Sequence, residues 1–462
     1  MRPVTLAMTE RTHRAARRHL FPGDGLEAAG FFLCNQGAGK SHQRLMVAEF
    51  VGASHELSER HADRVVWPFA ECFRPETIAR IDRAGQSIVT VHSHPNGSAA
   101  FSRIDDGNDR ELFPSVNAWF DDGRVNGSAI MLPNGAVVAR TVTENGFVPF
   151  RSVNAVGDRI SIWGSRPQAP HTEYERKLCQ TLGSGTLDQL RAMRAGVVGC
   201  SGTGSIMIEL LTRNCIGELV LVDDDIVEEK NLNRLVNGTL ADARDGKPKV
   251  HALTEAIDRA GLGTKVDAHD ALSDSPDAVA ALIDCDVLFG CVDSAFGRYH
   301  LDCLASAYLI PYFDVGVHIE ADGTGAIGAA DAVAHYVHPE GASLLSHGVY
   351  DMNQVGAENM KRAHPDLYEE QRAAGYLAAV GDEQPAVMSL NMQAACMAFN
   401  DFLARVHTFR LDQDCEFATQ RFRLVHGCYQ CEPDSGQPHR LLQRYRATGD
   451  ASALVKNNFR RD

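Results

Sequence analysis

The stretch RAGVVGCSGTGSIMIELLTRNCIGELVLVDDD, residues 194–225, decides the fold of the second half of the chain. Its first residues form a short apolar run typical of a buried strand, and GCSGTGS is typical of a tight turn. SIMIELLTRNC has the apolar spacing of a helix, and GELVLVDDD indicates a second strand. Strand, helix and strand in this order predict a βαβ unit, and therefore an α/β fold with a mainly parallel sheet.

Working outward from this unit, the chain divides into two predicted domains. Residues 1–150 alternate strand-like runs such as QSIVTVHS with helical stretches such as FRPETIARIDRAGQ, which predicts a separate α/β or α+β domain. Between residues 151 and 172 the pattern weakens, and GSRPQAPHT indicates a linker. Residues 173–462 continue the alternation of strands and helices and form the second predicted domain.

Composition and charge exclude several classes of protein. The chain has 45 basic and 60 acidic residues and a net charge of -15, which repels nucleic acid, so no nucleic-acid partner is expected. The twelve cysteines have irregular spacings and several lie in apolar runs, as expected for reduced thiols. No apolar stretch has the length of a membrane span. We therefore expect a cytoplasmic protein that does not bind membranes.

A first group of potential ligands lies in HSHPNGSAAFSRIDD, residues 92–106. If VTVHSH ends a strand, His92 and His94 point to the same face because side chains alternate along a strand. PNG predicts a turn, and Ser102 has the position of a helix N-cap, which puts Asp105 in the first helical turn. Two imidazoles and one carboxylate are a ligand set of catalytic zinc, which leaves a fourth position for water.

Such a metal centre also needs a general base. The candidate is Glu27 in DGLEAAGFF, because a glutamate at the edge of a buried strand is costly unless it has a task or a partner. Glu56 and Glu59 are alternatives, although they lie in the polar run ASHELSERHADR, which is typical of a solvated loop.

This pattern resembles the motif of the JAMM (MPN+/JAB) metalloproteases: an upstream glutamate, His-x-His-Pro, seven residues, serine, two residues and aspartate. The resemblance covers about residues 20–145. It implies Zn²⁺ on His92, His94 and Asp105, general acid/base catalysis by Glu27 through the bound water, and a hydrogen bond from Ser102 near the tetrahedral intermediate. It further implies cleavage after the C-terminal glycine of ubiquitin-like proteins, or trimming of short tails from them.

The glycine-rich turn of residues 199–205 indicates a nucleotide site. Its glycines lie between a strand and a helix, where backbone N–H groups can bind phosphate, and Asp223 ends the next strand, where a carboxylate can accept from ribose hydroxyls. A dinucleotide enzyme would share these features. However, the later segments VDDDIVEEKNLNRLVNG, DGKPK and CVDSAFGR supply basic and amide groups that indicate a triphosphate.

Together these segments resemble the ThiF-like adenylyltransferases, the superfamily that includes ubiquitin-activating enzymes, over about residues 172–462. The resemblance implies a Rossmann-like domain that binds ATP and Mg²⁺ and assigns roles to specific residues. These roles are phosphate binding by Gly199, Gly202 and Gly204, ribose binding by Asp223, triphosphate binding by Asn231, Arg234 and Lys249, Mg²⁺ binding by Asp293, and contact with a dimer partner's ATP by Arg176. Ser201 departs from the family, where glycine is frequent, and fits if its φ is negative.

Many relatives of this superfamily bind a structural zinc with two Cys-x-x-Cys pairs, of which this chain has one, Cys428 and Cys431. Ser343 and Ser346 stand where the other thiolates are expected. Serine is a poor zinc ligand at neutral pH. A second zinc on Cys428 and Cys431 is therefore predicted only with substitute ligands, for which the candidates are His347 and His426.

Cysteine positions also bear on thioester chemistry. Residues 311–385 contain no cysteine, although conjugating activators usually present a thiol after the adenylation site. Cys396 lies in an apolar helix, and Cys291 and Cys303 lie near the nucleotide segments in apolar surroundings, which predicts unreactive thiols. Transfer onto a thiol of this chain is therefore not expected.

The favoured hypothesis is a bifunctional enzyme of a bacterial ubiquitin-like pathway. Its metallopeptidase would process or deconjugate a small ubiquitin-like protein, and its adenylyltransferase would activate the C-terminal glycine. The expected catalytic residues are Glu27, Ser102, Arg234, Lys249 and Asp293. Expected partners are the ubiquitin-like protein, a second copy of the chain bound through the C-terminal domain, and a conjugating or sulfur-transfer protein. The alternatives are activation for sulfur transfer, a non-catalytic nucleotide-binding scaffold and a nicotinamide-dependent oxidoreductase.

Overall fold

The computed structural model describes residues 2–120, 122–164, 170–374, 377, 385–436 and 438–455. The chain divides into two compact units. The N-terminal unit comprises Met1–Ser165 with Ala447–Gly449, and the C-terminal unit comprises Arg166–Arg446 with Asp450–Asp462.

The N-terminal unit contains a nine-stranded sheet in the order β11-β10-β1-β3-β2-β6-β7-β8-β9 and a separate two-stranded sheet, β4-β5. Three of its neighbouring pairs are parallel (β1-β10, β1-β3 and β6-β7), so the sheet is mixed. The elements are β1 (Val4–Thr9), α1 (Glu10–Leu20), β2 (Ala29–Ala38), β3 (Gln43–Gly52), β4 (Glu59–Arg60), β5 (Val65–Val66), α2 (Phe69–Cys72), α3 (Pro75–Arg83), β6 (Ser87–Ser93), α4 (Arg103–Ala118), β7 (Gly127–Met131), β8 (Val137–Thr143), β9 (Gly146–Pro149), β10 (Ser152–Val156) and β11 (Ile160–Gly164).

Alternating side chains of these strands build two apolar clusters. Neighbouring residues of β6 illustrate the alternation, because Val89 and Val91 belong to one cluster whereas Ile88 belongs to the other. Phe113 and Val116 of α4 pack into the second cluster. Since α4 and the end of β6 are thereby fixed against one sheet, residues 94–102 between them form a tethered loop.

The predicted linker of residues 151–172 is wrong in its first part. Residues 152–164 form β10 and β11, and β10 pairs in parallel with β1, with Val153 opposite Leu6. These strands are short and separated by a turn, so they lack the long alternation that identifies a strand in sequence. Helix α5 begins at Glu173, at the predicted end of the linker. Residues 165–169 of the predicted linker lie outside the described residues.

The C-terminal unit contains an eight-stranded sheet in the order β14-β13-β12-β15-β16-β17-β18-β19. The first five strands in this order (β14, β13, β12, β15 and β16) are parallel, and the pairs that follow are antiparallel. This pattern confirms the predicted α/β class. Its elements are α5 (Glu173–Ala192), β12 (Arg194–Val198), α6 (Gly202–Arg213), β13 (Glu218–Val222), α7 (Leu240–Asp245), α8 (Lys249–Ala260), β14 (Lys265–His269), α9 (Pro276–Ile283), β15 (Val287–Gly290), α10 (Ala295–Tyr308), β16 (Tyr312–Ala321), β17 (Ile327–Val337), α11 (Met352–Ala363), α12 (Pro365–Ala373), α13 (Met388–Val406), β18 (Thr419–Arg423), β19 (Cys428–Glu432), α14 (Arg440–Gln443) and α15 (Ser452–Val455), with 3-10 turns at Glu229–Asn231, Asp414–Phe417 and Leu424–His426.

The order of the parallel strands creates a crevice at one edge of this sheet. Strand β12 pairs with β13 on one side and with β15 on the other, so the chain reverses its direction of progress across the sheet at β12. In open α/β sheets, ligands bind outside the carboxyl ends of the strands at such a reversal. The glycine-rich turn follows β12 and therefore lies in this crevice.

Within the described ranges, each helix is too short or too polar to cross a membrane.

Candidate metal and nucleotide sites

Strand β6 and helix α4 bring the predicted metal ligands together. His92 lies in β6, opposite Ala29 of β2, and His94 follows the strand directly. Ser102 is the N-cap of α4, and Asp105 lies in the first turn of that helix, both as predicted. In the intervening turn Gly97 has a φ of +77°, which favours glycine over any other residue.

The two imidazoles and the Asp105 carboxylate lie close enough together to bind one zinc ion. His92 Nε2 lies 3.1 Å from His94 Nε2 and 3.2 Å from Asp105 Oδ1, and His94 Nε2 lies 3.5 Å from Asp105 Oδ2. Metal–ligand bonds of about 2.0–2.2 Å at tetrahedral angles separate the ligand atoms by about 3.3 Å. The donor set therefore fits zinc in both chemistry and geometry.

A backbone carbonyl fixes the orientation of one imidazole. His94 Nδ1 lies 2.9 Å from the carbonyl oxygen of Ser98. Since a carbonyl only accepts hydrogen bonds, Nδ1 carries a proton, and Nε2 is the atom that would bind a metal. Partners of this kind set the tautomer and raise the basicity of metal-binding histidines.

The electrostatics of the cluster favour an ionised carboxylate. Burial alone would raise the pKa of Asp105, but hydrogen bonds from His92 and His94 outweigh it and hold that pKa far below its usual range. Burial likewise opposes protonation of His94, yet the Asp105 carboxylate raises the pKa of this imidazole. The cluster thus concentrates negative charge where a cation would be bound.

Glu27 lies beside this cluster. It is 3% exposed, and together with His92 and Asp105 it lines a cavity of about 60 Å³. Burial raises the pKa of Glu27, while the nearby imidazoles lower it. A raised pKa favours a carboxyl that accepts and returns a proton during catalysis. The alternatives Glu56 and Glu59 are exposed, and Glu59 is hydrogen-bonded to His61, so the position of Glu27 agrees with the predicted base.

The Ser102 hydroxyl is occupied by the helix cap. It accepts a hydrogen bond from the backbone N–H of Asp105 at 3.1 Å, and Asp105 Oδ2 accepts one from the backbone N–H of Ser102 at 2.6 Å. This capping box ties the third ligand to the start of α4. The role predicted for Ser102 in stabilising an intermediate stays a prediction.

Sequence reasoning missed the residue that fastens α4 beneath the metal ligands. The guanidinium of Arg140 lies 3.7 Å from the ring centroids of both Phe101 and Phe147. It also forms ion pairs of 2.6 Å with Asp106 and Asp109, which follow Asp105 within α4. Arginine in a strand gives no signal of such a contact, since the partners are distant in sequence.

The predicted phosphate-binding turn has the conformation that glycine requires. Gly199 has a φ of +87°, and a Cβ at this position would lie 2.5 Å from the carbonyl oxygen of Cys291. Side chains at Gly202 and Gly204 would overlap Asn391 and the Gly199 carbonyl, respectively. Ser201 has a φ of -102°, which confirms the condition under which serine fits the turn.

Asp223 and Lys249 meet at the carboxyl edge of the sheet. Asp223 follows β13 and is 8% exposed, and its Oδ2 accepts a hydrogen bond of 2.5 Å from the backbone N–H of Cys200. Burial raises the pKa of Asp223, and Lys249 lowers it. Lys249 Nζ lies 3.8 Å from Asp223 Oδ1 and 2.6 Å from Asp225 Oδ2. The turn, the acid and the amine therefore share one site.

The other residues predicted to bind the nucleotide differ in whether they lie at this site. Arg234 lies against the turn, since a Cβ on Gly202 would be 3.3 Å from its Cδ. Asn231 is buried and accepts a hydrogen bond from the backbone N–H of Glu228, so its side chain caps a turn. Asp293 is exposed between β15 and α10, and Arg176 is exposed on α5. The structure brings Arg234 to the site and leaves these last two open to solvent.

A second missed residue is Asn391 in α13. This helix packs against α6, and the Asn391 amide approaches Gly202 so closely that only glycine fits there. Asn391 is 2% exposed, and within the described part of the chain its Oδ1 has no hydrogen-bond partner. An amide in an otherwise apolar helix was the available signal, because burying it unpaired is costly.

The predicted second zinc on Cys428 and Cys431 is wrong. Both residues lie in β19, where they pair with Arg423 and Gln420 of β18. Residues three apart in a strand point to opposite faces, so their thiols cannot bind one ion. The Ser343 and Ser346 hydroxyls are hydrogen-bonded to each other at 2.9 Å. Pairing with β18 holds both cysteines in an extended strand.

Two family models match separate parts of the chain. The ThiF family matches residues 174–365, and the prokaryotic homologues of the JAB domain match residues 9–143. The two matches correspond to the C-terminal and N-terminal units, respectively.

Individual relatives match part of the chain. The ubiquitin-like modifier-activating enzyme 5 of Drosophila willistoni is 28% identical over 142 residues, which are 28% of this chain and 34% of the relative. The molybdopterin-synthase adenylyltransferase of Escherichia coli K12 is 29% identical over 137 residues, or 29% of this chain and 53% of the relative. The chain thus spans about a third to a half of the length of these curated relatives.

Among solved structures, the crystal structure of E. coli MccB with ATP is similar at 15% identity and a TM-score of 0.44, covering 60% of this chain and 75% of MccB. The family matches confirm the two resemblances found in the sequence. This chain is therefore similar to the JAB family over residues 9–143 and to the ThiF family over residues 174–365.

Proposed function

We propose that this chain is a bifunctional enzyme that adenylates the C-terminal glycine of a small ubiquitin-like protein and cleaves peptide or isopeptide bonds formed by that protein. The adenylation site uses ATP and Mg²⁺, and the peptidase site uses zinc. Two sites that act on one small protein benefit from being tethered, because tethering raises the local concentration of the shared substrate.

Adenylation is supported by the shared site of the glycine-rich turn, Asp223 and Lys249. Backbone N–H groups at the start of α6 bind the phosphates, and Asp223 accepts hydrogen bonds from the ribose. Lys249 exchanges its ion pair with Asp225 for the β- and γ-phosphates, and Arg234 adds a second cation. The glycine carboxylate attacks the α-phosphorus and pyrophosphate leaves, a step that needs mainly alignment and charge neutralisation. Asp293 would hold Mg²⁺.

Peptide cleavage is supported by the spacing of His92, His94 and Asp105 and by the burial of Glu27 beside them. Bound zinc would polarise the scissile carbonyl and acidify the attacking water. Glu27 takes the proton from that water and delivers it to the departing amine. Its raised pKa suits both transfers.

The observation that carries the proposal is the meeting of Asp223, Lys249 and the glycine-rich turn at the reversal of strand order. The test is exchange of radiolabelled pyrophosphate into ATP, measured with the full chain and a small protein that ends in Gly-Gly. We expect exchange that depends on this protein. Exchange that never depends on a carboxylate-ended polypeptide, or hydride transfer from a nicotinamide, would contradict adenylation.

Activation for sulfur transfer is the second candidate, and the cysteines favour it. Burial raises the pKa of Cys291, the thiol beside the glycine-rich turn, to about 12, and burial also raises the pKa of Cys303 and Cys396. Protonated thiols are poor nucleophiles. A thiol-sensitive adduct between the chain and the small protein on a denaturing gel would favour conjugation, whereas activation without this adduct would favour sulfur transfer.

Dimerisation through the C-terminal unit belongs to the same proposal. Arg176 is exposed on α5 and matches the arginine with which dimeric relatives contact the partner's ATP. Light scattering should give twice the mass of one chain. A fully active monomer would contradict this arrangement.

A further inference from the structure

Helix α5 is bent at Gly183, where the backbone leaves the helical conformation. Gly183 has a φ of +75° and a ψ of 156°, a combination that favours glycine. His171, just before the helix, and Asp188, beyond the bend, are 17 residues apart. A straight helix would separate residues at this spacing by about 25 Å. The bend instead allows His171 Nε2 to lie 2.8 Å from Asp188 Oδ1.

The same imidazole also contacts a thiol. His171 Nδ1 lies 3.5 Å from Cys179 Sγ, so the ring lies between Cys179 and Asp188. Because a carboxylate only accepts hydrogen bonds, Nε2 carries a proton that it donates to Asp188. In the neutral ring Nδ1 is then the acceptor, and it faces the thiol. The arrangement is therefore a thiol, a base and an acid that orients the base.

Two carboxylates lie near this imidazole. Burial would raise the pKa of Glu175, but hydrogen bonds from Thr172 hold it below its usual range, and His171 contributes to this effect. Arg191 lies 3.5 Å from both Glu175 Oε1 and Asp188 Oδ1 and links the two acids. Nearby negative charges favour a protonated ring. The two acids thus stabilise the imidazolium that forms when His171 takes a proton from the thiol.

The thiol of this group can be reached from solvent. Cys179 is partly exposed, and the side chains of His171 and Asp188 are 22% and 25% exposed. By contrast, Cys200 and Cys303 are buried, and burial raises the pKa of both thiols. Reactive cysteines occur in partly exposed positions beside a base, whereas buried cysteines are inert. Accessibility and a hydrogen-bonded base therefore coincide at Cys179.

We propose that Cys179 is a nucleophilic thiol that reacts with hydroperoxides, with His171 as its acid and base and Asp188 as a positioning residue. A nucleophile in contact with a base that a third group orients is the recurrent geometry of activated side chains. Accessible thiols of this kind are the ones that peroxide oxidises. Hydrogen peroxide is small enough to reach a thiol that is only partly exposed on a helix.

The reaction is balanced by one molecule of hydrogen peroxide. His171 takes the proton of the Cys179 thiol, and the thiolate attacks one peroxide oxygen. The S–O bond forms as the O–O bond breaks, and the departing hydroxide takes the proton back from His171. The products are a sulfenic acid at Cys179 and water, so sulfur is oxidised and peroxide is reduced. This inference does not depend on the proposed function.

The first test compares cysteines within the native full chain. The chain is treated with hydrogen peroxide in the presence of dimedone, which labels sulfenic acids, and labelled peptides are measured by mass spectrometry. Cys179 should be labelled at least about tenfold faster than Cys72, which is also partly exposed but whose pKa is raised by burial. Equal rates would overturn the proposal.

Unfolding provides a control for the local sequence. In urea the contact between His171 and Cys179 is lost, so the labelling rates of Cys179 and Cys72 should converge. A difference that persists in urea would show that the fold does not activate Cys179 and would overturn the proposal.

A pair of variants tests the base. His171→Gln should slow labelling of Cys179 by about tenfold or more, because it removes the group that accepts the thiol proton. His407→Gln is the matched control, since His407 Nδ1 lies 2.6 Å from Thr186 Oγ1, also on α5 but beyond the bend. It should leave labelling of Cys179 unchanged. Equal slowing by the two variants would contradict a role for His171 as base.

A third variant keeps the test open if His171→Gln folds poorly. Asp188→Asn retains an acceptor for His171 Nε2 but removes the charge that stabilises the imidazolium. It should lower the ratio of Cys179 to Cys72 labelling, by less than His171→Gln does. The denaturant midpoint of the same variant shows how much of the effect comes from stability. A folded Asp188→Asn variant with an unchanged ratio would contradict the positioning role of Asp188.

Discussion

The metal centre and the nucleotide site differ in how much of each is supplied by neighbouring residues. All three metal ligands come from residues 92–105, where the end of β6 and the first turn of α4 hold them within 3.5 Å of one another. The nucleotide residues come from three strand ends between residues 199 and 293, and Asp293 remains exposed. The first site is organised by contacts among residues of one short segment, whereas the residues of the second are spread over several segments.

This difference follows from the charges of the two sites. In the metal centre the histidines contact the Asp105 carboxylate, and the capping box with Ser102 fixes the start of α4, so several contacts hold this ligand in place. At the nucleotide site Lys249 is paired with Asp225 and must change partner to reach a phosphate. Substitutions at the metal centre should therefore change the rate of peptide cleavage directly. Substitutions at the nucleotide site should change the exchange of ion pairs that accompanies nucleotide binding.

The largest expected effect is on peptide cleavage. Glu27→Gln keeps the volume of the side chain but removes the group that exchanges protons, so the cleavage rate should fall by about 1,000-fold or more. Zinc content, measured by metal analysis, should not change. Glu59→Gln, in an exposed position, is the control and should retain full activity. Unchanged cleavage by Glu27→Gln would exclude Glu27 as the base.

The next largest effect is on pyrophosphate exchange. It tests whether Lys249 binds the nucleotide or only stabilises the fold through an ion pair. Lys249→Met removes the cation proposed to neutralise the triphosphate, so pyrophosphate exchange should fall by about 100-fold. Asp225→Asn breaks the same 2.6 Å ion pair from the other side while keeping the lysine, and should lose much less. Equal losses in the two variants would mean that Lys249 acts through folding alone.

A buried acid in α10 predicts how the stability of the C-terminal unit depends on pH. Burial raises the pKa of Asp302 to about 7, from 3.8 in the unfolded chain, although hydrogen bonds from Tyr350 and Leu345 oppose it. Between these values the folded state holds a proton that the unfolded state has lost. Stability therefore falls as pH rises from about 4 to 7, by about 2–4 kcal/mol in total.

The Asp302→Asn substitution should remove this loss of stability at higher pH. Both donors bond to Oδ2 of Asp302, a position that the amide oxygen of asparagine can take. At pH 8 the variant should be more stable than the native chain by about 2–4 kcal/mol, and the gap should shrink towards pH 4. Denaturant unfolding of both proteins at several pH values measures this difference in stability. A constant difference across this range would contradict the assignment.

The smallest expected effect is on zinc affinity, and it tests whether Arg140 helps to hold the metal ligands in place. Arg140→Gln removes the ion pairs that hold α4, so zinc affinity should weaken by about tenfold. Arg124→Gln is a close match, because Arg124 stacks on Phe120 at 4.0 Å and pairs with Asp82 and Asp122, without touching α4 through these acids. Both variants should lose stability. Equal zinc affinity in the two variants would show that Arg140 stabilises the fold only.

Local geometry explains what could be predicted from the sequence. His92 and His94 share a face because they are two residues apart in a strand, and Asp105 is fixed by the Ser102 cap, so the spacing alone predicted the cluster. The glycine-rich turn and Asp223 were predictable for the same reason, since a strand-turn-helix unit has few conformations.

Contacts between distant segments explain what could not be predicted. Arg140 meets Asp106 through the pairing of strands around α4, and Asn391 meets Gly202 through the packing of α13 on α6. Neither contact has a sequence pattern. The misjudged second zinc has the same origin, because pairing with β18 determines the conformation of Cys428 and Cys431.

The most direct test of the account is pyrophosphate exchange by the native chain and by the double variant His92→Ala, His94→Ala. If the two sites are built independently, the variant should lose zinc and peptide cleavage but keep its exchange rate, with the small Gly-Gly-ended protein as substrate. Loss of exchange together with the metal, or no exchange by the native chain, would contradict the account.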